Sequence, residues 1–296
     1  MSGDLVYGTE LAITGLLIGV MYSMVALGFV LIFKASAVFN FAQGAMTLFG
    51  ALTVVGLSPL VGLPLALAAA LVAMAVLAVA VERWVLRPLI GRSALTVFMA
   101  TVGVAYALEG LAQLIWGNQP RGLKLDIPQA PLQLGGVYVS PPDLIGAAIA
   151  GVCVMLLVLF FQRTKLGLGL RAMADDPIAA QAMGVRVGRM WAVAWMLAGA
   201  VAIVAGVLWG SRIGVHFGMT QITLKALPIL IIGGVDSIPG AIVAGLLVGA
   251  GEALGEGFLG PFVGGGVQEI VAYLGALLIL TFRHQGLLGE KTIDRI

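Results

Sequence analysis

Charge is scarce in this sequence. Of its 296 residues only 10% are Asp, Glu, Lys or Arg, where a typical soluble domain carries about 25%. Hydrophobic residues make up 60% and the mean hydropathy is +1.09. A chain so poor in charge cannot keep a folded surface in water, which excludes an ordinary soluble domain. Cysteine is nearly missing too. Cys153 stands alone in an apolar run, so an intrachain disulfide and a cysteine-cluster metal site are both excluded. The two histidines, His216 and His284, lie far apart with no HExxH pattern, so no metal site is expected. There is no basic block of the kind that binds nucleic acid, and no nucleophile–base arrangement that points to an enzyme. The Gly-Lys dipeptide does not occur, so the chain has no phosphate-binding P-loop. If ATP drives this protein, another chain must bind it. A basic region before the first apolar run is also lacking. Asp4 and Glu10 precede that run and the first cation is Lys34, which predicts an uncleaved span rather than a signal peptide.

What the sequence does contain is a series of long apolar runs. About 20 apolar helical residues span a hydrocarbon core of about 30 Å. Nine runs come near that length: 11–33, 38–57, 62–81, 94–116, 142–162, 190–210, 222–235, 239–256 and 268–282. The seventh is short, interrupted by Lys225 and Pro228, and ends in Gly233-Gly234. The reading is an all-α, polytopic transmembrane helical bundle of eight or nine spans with one short or broken segment, forming a single domain over 1–296. With the N-terminus outside and nine crossings, twelve of the 16 Lys and Arg residues fall inside, as the preference of basic loops for the cytoplasm requires. They are Lys34, Arg83, Arg87, Arg92, Arg163, Lys165, Arg171, Arg186, Arg189, Arg283, Lys291 and Arg295. Arg121, Lys124, Arg212 and Lys225 fall outside. Eight spans plus one re-entrant segment is the alternative. The loop at about 117–141, with Arg121, Lys124 and Asp126, is then external and rich in Pro and Gly. The loop at 163–189 is the longest and most basic internal one. Gly15 and Gly19, Gly206 and Gly210, and Gly245 and Gly249 have the four-residue spacing that lets helices approach closely.

Four segments carry chemistry. In the internal loop, Asp175-Asp176-Pro177 precedes Ile178–Met183 and Gly184. Asp176 is a helix N-cap, Pro177 suits the first helical position, and Gly184 can end the helix in the left-handed conformation. The spacing predicts a helix of about two turns whose Ile178, Ala182 and Met183 either enter a partner's groove or rest on the lipid interface. Asn40 and Gln43, beside Gly44, are carboxamides three residues apart on one helix face. They either hydrogen-bond a polar solute or bond between helices. The Gly233-Gly234-Val-Asp236-Ser237-Ile-Pro239-Gly240 segment is either irregular backbone framing a transport site or a plain cytoplasmic turn. Among Glu109, Glu252, Glu256 and Glu269, the first two lie inside apolar runs, where a carboxylate either relays protons or pairs quietly.

These segments also carry a family resemblance. GLLIGVMYSMVALGFVLIFKASAVFNFAQGAMTLFGA (Gly15–Ala51), GLGLRAMADDPIAAQAMGVRVGR (Gly167–Arg189), KALPILIIGGVDSIPGAIVAGLLVGAGEAL (Lys225–Leu254) and FRHQGLLG (Phe282–Gly289) resemble, in order, four regions of LivH-type permeases of branched-chain amino acid ABC importers. Ala45 departs from that pattern, since many such permeases carry an acidic residue there, and His284 stands where they often have Pro. The resemblance implies a permease of the bacterial inner membrane with no ATPase motif and no cofactor of its own, ATP being bound by partner subunits. It implies two cytoplasmic ATP-binding subunits, a second permease of LivM type and a periplasmic solute-binding protein. Asp175, Asp176, Pro177, Ala180, Met183 and Gly184 would then meet the ATPase. Asn40, Gln43, Gly44, Gly233, Gly234 and Ser237 would lie along the substrate pathway. The alternatives are a proton-coupled secondary transporter of small polar solutes using Glu109 or Glu252, a permease of the same family for amides or urea, and a non-transporting membrane assembly subunit.

Overall fold

The computed structural model describes residues 3–123, 127–128, 130–134 and 136–289. Lys124, Asp126, Lys291 and Arg295 of the charge pattern lie outside the described residues. In chain order the elements are α1 (Gly3–Ser36), α2 (Gln43–Val61), α3 (Leu63–Val81), α4 (Ala94–Trp116), β1 (Leu132–Leu134), β2 (Val137–Val139), α5 (Pro141–Arg163), α6 (Lys165–Asp175), α7 (Pro177–Ala182), α8 (Val187–Ile213), α9 (Met219–Leu224), α10 (Ala226–Gly233), α11 (Ile238–Val263) and α12 (Val267–Phe282). A π turn at Glu82–Leu86 and a 3-10 turn at Arg87–Leu89 extend α3.

Each of the nine apolar runs is helical. Among the described residues seven helices are long and apolar enough to cross a membrane, while α12 and the α9–α10 segment are shorter. The seventh run is broken at Lys225, between α9 and α10. Pro228 sits in the first turn of α10, and its ring and missing N–H bear on the carbonyl four residues back, Leu224, where α9 ends. Outward faces are apolar: Leu65, Val72 and Val76 of α3 are each more than 60% exposed. Such a face suits lipid, where the backbone must be bonded internally, as a helix bonds it.

The chain divides into two compact units. One comprises residues 1–26, 125–154 and 225–296. In it α1 crosses α11 with almost no side chain between them. A Cβ added to Gly15 would lie 2.6 Å from the Gly249 carbonyl oxygen, and one added to Gly19 would lie 2.6 Å from that of Gly245. The four-residue glycine spacings of the two helices thus face each other. Ser23 Oγ, one turn further along α1, donates to the Ile242 carbonyl at 3.1 Å. The loop between α11 and α12 has three successive glycines at positive φ, Gly264, Gly265 and Gly266. Glu256 clamps it: Oε1 accepts from the Gly266 N–H at 3.3 Å and Oε2 from the Gln268 N–H at 3.1 Å. The carboxylate therefore caps α12, whose own N-cap glycine has no side chain. Glu256→Ala is expected to destabilise the unit by about 1 kcal/mol, read as a lowered unfolding temperature in detergent, with Glu256→Gln recovering part of the loss.

The other unit comprises residues 27–124 and 155–224. Its centre is α2, buried almost continuously from Gln43 to Val55. Gly206 of α8 lets that helix close on α2, since a Cβ there would meet the Thr47 carbonyl oxygen at 2.5 Å. Trp191 Nε1 of α8 donates to the Ala35 carbonyl at 2.9 Å. Glu82, on the π turn and buried, pairs with Arg87 at 3.1 Å. Its carboxylate also lies against Gly188 in the first turn of α8, where a negative charge favours the helix dipole.

Candidate functional site

The internal loop forms the helix that the sequence spells out. Asp176 Oδ1 accepts from the Ile178 and Ala179 N–H groups at 2.9 and 3.0 Å. Pro177 opens α7, and Gly184 follows it with φ of +88°. Ile178 and Met183 are 80% and 86% exposed. Ala180 points the other way and is buried. Asp175 ends the preceding helix and is exposed. That preceding helix, α6, is not part of the sequence-based reading. Thr164 starts it by accepting the Gly167 N–H at 2.9 Å, and its apolar residues Leu170 and Met173 are buried. So α6 anchors a platform on which α7 stands with its apolar side chains uncovered.

Asn40, Gln43 and Gly44 belong to the second unit and are packed rather than open. Asn40 Oδ1 accepts the Ala42 N–H at 3.1 Å and so shapes the turn before α2. Gln43, the first residue of α2, is fully buried. Its Nε2 donates to the Ala198 carbonyl at 3.3 Å, and its Oε1 meets no donor among the described residues. Gly44 lets α9 approach, because a Cβ there would lie 3.1 Å from the Thr220 carbonyl oxygen. The neighbouring turn is held by Thr101 of α4, whose Oγ1 accepts the Phe41 N–H at 3.0 Å.

Gly233, Gly234 and Ser237 belong to the first unit and build a tight turn. Gly233 faces Gly240 so closely that a Cβ would strike the Gly240 carbonyl group. Gly234 has φ of +102°, which a side chain resists. Ser237 Oγ accepts the Gly240 N–H at 3.0 Å and caps α11. The Phe282–Gly289 segment folds onto this turn: the Leu287 and Leu288 N–H groups donate to the Ile232 and Gly233 carbonyls at 2.7 and 3.1 Å. The two motifs that looked separate in sequence are one structural element.

One charged constellation joins residues that no spacing connects. Glu252, in the middle of α11, is 5% exposed. Tyr22 of α1 donates its hydroxyl proton to Glu252 Oε2 at 3.0 Å. Glu252 Oε1 is buried and meets no hydrogen-bond donor among the described residues. Lys225, directly before α10, and Glu269 of α12 pair with each other at 4.0 Å, and both helices pack against α11. Elsewhere, a cleft of about 590 Å³ in the second unit is lined by Val55, Pro59 and Arg121 among others. The Arg121 guanidinium there is tied to the Trp116 carbonyl at 2.9 Å. Among the described residues no group of three His, Cys, Asp or Glu side chains is arranged to hold a metal.

Long apolar helices with glycine-tight crossings, buried polar side chains and an exposed two-helix platform define a polytopic membrane transport protein. The chain belongs to the family of branched-chain amino acid transport system permease components, whose profile matches residues 11–282. It is 27% identical to the high-affinity branched-chain amino acid transport system permease protein BraD of Pseudomonas aeruginosa, over 96% of each chain. Its identity to the corresponding LivH protein of Escherichia coli is 25%, over all of both chains. A probable branched-chain amino acid transport permease protein, LivH of Methanocaldococcus jannaschii, is 28% identical over 90% of this chain and 89% of its own. The chain is a multi-pass inner-membrane permease subunit.

Proposed function

We propose that this chain forms part of the translocation pathway of an ATP-driven importer for branched-chain amino acids. What carries the reading is that the permease relatives match from end to end. No P-loop occurs in the sequence, so the energy comes from elsewhere. Two cytoplasmic ATP-binding subunits bind the ATP, one of them docking on the coupling segment at 163–189. A second permease of LivM type completes the pathway, and a periplasmic solute-binding protein delivers the substrate. The basic residues of α6 and its flanks support a cytoplasmic position for that segment.

Docking uses Asp175, Asp176, Pro177, Met183 and Gly184, with Ala180 holding α7 to its base. ATP binding moves α7, and the motion re-packs the spans between outward- and inward-facing states. Asn40, Gln43 and Gly44 in one unit, and Gly233, Gly234 and Ser237 in the other, are the pathway residues. Gln43 supports this role best, since its Oε1 is buried with no donor among the described residues, an arrangement that costs free energy unless another state satisfies it.

Affinity purification of the tagged chain from its native membrane, followed by mass spectrometry, tests the assignment. Two P-loop ATPases and a second permease are expected to co-purify. Recovery of the chain alone, in detergent that preserves known importers, would overturn it.

A further inference from the structure

Within the first unit, Glu252 presents a buried carboxylate with half of its hydrogen-bonding capacity unused. Oε2 is held by the Tyr22 hydroxyl, and Oε1 meets no donor among the described residues. Glu252 follows Ile238 by fourteen positions in a helix that ends at Val263, which places it about 21 Å along the axis, within the hydrocarbon depth. A charge at that depth marks a functional site unless it is fully paired. Here the pairing is incomplete, and the one fixed partner orients the carboxylate without neutralising it.

A cation stands near by. Lys225 stands at the start of α10, which packs against α11, the helix that carries Glu252. It is the residue at which the seventh apolar run breaks, directly before α10. No side chain caps the N-terminus of α10. An ammonium group favours a carboxylate. Among the described residues the ion-pair partner of Lys225 is Glu269, 4.0 Å away on α12, whose side chain is 66% exposed. Such an exposed pair is weak and yields readily to a better-placed anion. The unit thus offers a buried negative group and a partly buried positive one, each with unused capacity.

We propose that Glu252 and Lys225 form a site for the charged backbone of an amino acid. The substrate's α-ammonium donates to Glu252 Oε1, and its α-carboxylate takes the place of Glu269 on Lys225. Tyr22 is a positioning residue that fixes the carboxylate through Oε2. This inference rests on the importer reading above and adds to it where the solute is held. In the described conformation Oε1 faces protein, so the site loads when the helices re-pack.

The test uses the complete importer in proteoliposomes, with L-leucine as the probe. Wild-type uptake of L-leucine checks the importer reading by itself; its absence would sink that reading whatever the variants do. Given wild-type uptake, Glu252→Gln is expected to lower the maximal rate at least tenfold. Its unfolding temperature without substrate should stay equal or rise, because the amide still accepts from Tyr22 and removes a buried charge. A structural Glu252 would instead give a destabilised variant, and uptake equal to wild type would likewise overturn the site. Labelling of wild-type Glu252 by dicyclohexylcarbodiimide supplies a readout independent of transport. L-leucine and isoamylamine, which carry the ammonium, are expected to suppress it; isocaproate, which lacks it, is not. Suppression by sodium or potassium alone would assign an inorganic cation and overturn the amino-acid site, as would labelling indifferent to every probe. If Glu252→Gln does not accumulate, Lys225→Gln takes its place. It is expected to lower uptake at least tenfold with the fold retained, and unchanged uptake would overturn the site.

Discussion

Gly249→Leu is expected to leave little folded protein in the membrane. At this position α1 and α11 touch backbone to backbone: a Cβ on Gly249 would lie 2.4 Å from the Gly15 carbonyl oxygen and 2.6 Å from the Gly19 Cα and N. None of these atoms belongs to a side chain that can turn away, so the helices must separate. Overpacking of a well-packed interior costs about 1–3 kcal/mol even when side chains can adjust. Separation also breaks the Ser23–Ile242 bond at 3.1 Å and the Tyr22–Glu252 hydrogen bond at 3.0 Å, and the second loss strands a buried carboxylate oxygen at a further cost of about 1–3 kcal/mol. The total reaches the lower end of the stability of a typical protein, about 5–15 kcal/mol. Size-exclusion chromatography of a fluorescent fusion, quantified against wild type, checks the result. Gly110→Ala in α4 is the control, because nothing lies within 4 Å of the added Cβ. It should express normally and gain up to about 1 kcal/mol from helix propensity. A folded, wild-type-like Gly249→Leu protein would mean that the crossing is not as close as described.

Much of this architecture was legible because a membrane makes hydropathy decisive. All nine apolar runs became helices, and the short seventh one broke at Lys225, one of the two residues that interrupt the run. The α7 helix was legible from local chemistry alone, since cap, proline and terminal glycine stand in one short stretch. The α6 helix was not, because Gly167 and Gly169 weaken its intrinsic signal. Gly167 is there for a tertiary reason: a Cβ would strike the Phe160 carbonyl oxygen. The β1–β2 hairpin, in register from Leu132 opposite Val139 to Leu134 opposite Val137, was hidden in a loop read only for its Pro and Gly. Its signal was the Gly135-Gly136 pair between two short runs of alternating character. For Asn40 and Gln43 the spacing predicted one shared helix face, but only Gln43 belongs to α2, Asn40 lies in the turn before it, and both proved to be fully buried. The Tyr22–Glu252 pair spans 230 positions, and no periodicity connects residues so far apart. Local order was thus readable from sequence, while the pairing of distant polar groups required the fold.

Met183→Asp is expected to abolish transport while leaving the membrane fold intact. Met183 is 86% exposed at the end of α7, and Ile178, at its start, is 80% exposed. Burying such a side chain against a partner contributes about 1.5–3 kcal/mol. An aspartate there both forfeits that gain and carries an unpaired charge into the contact, at a cost of several kcal/mol. A combined loss of about 4 kcal/mol weakens docking about a thousandfold, enough to release the ATPase at cellular concentrations. Because the side chain points away from its own protein, the unfolding temperature of the isolated chain should not change. Asp176→Ala is a poorer probe, since that carboxylate caps α7 through Ile178 and Ala179 and its loss alters helix and surface together. The measurement is co-purification of the ATP-binding subunits with the Met183→Asp chain, alongside uptake of L-leucine. Retained subunits and normal uptake would remove α7 from the docking surface. Retained subunits without uptake would instead make α7 a lever that transmits motion after docking, with the binding energy residing in other parts of the 163–189 segment.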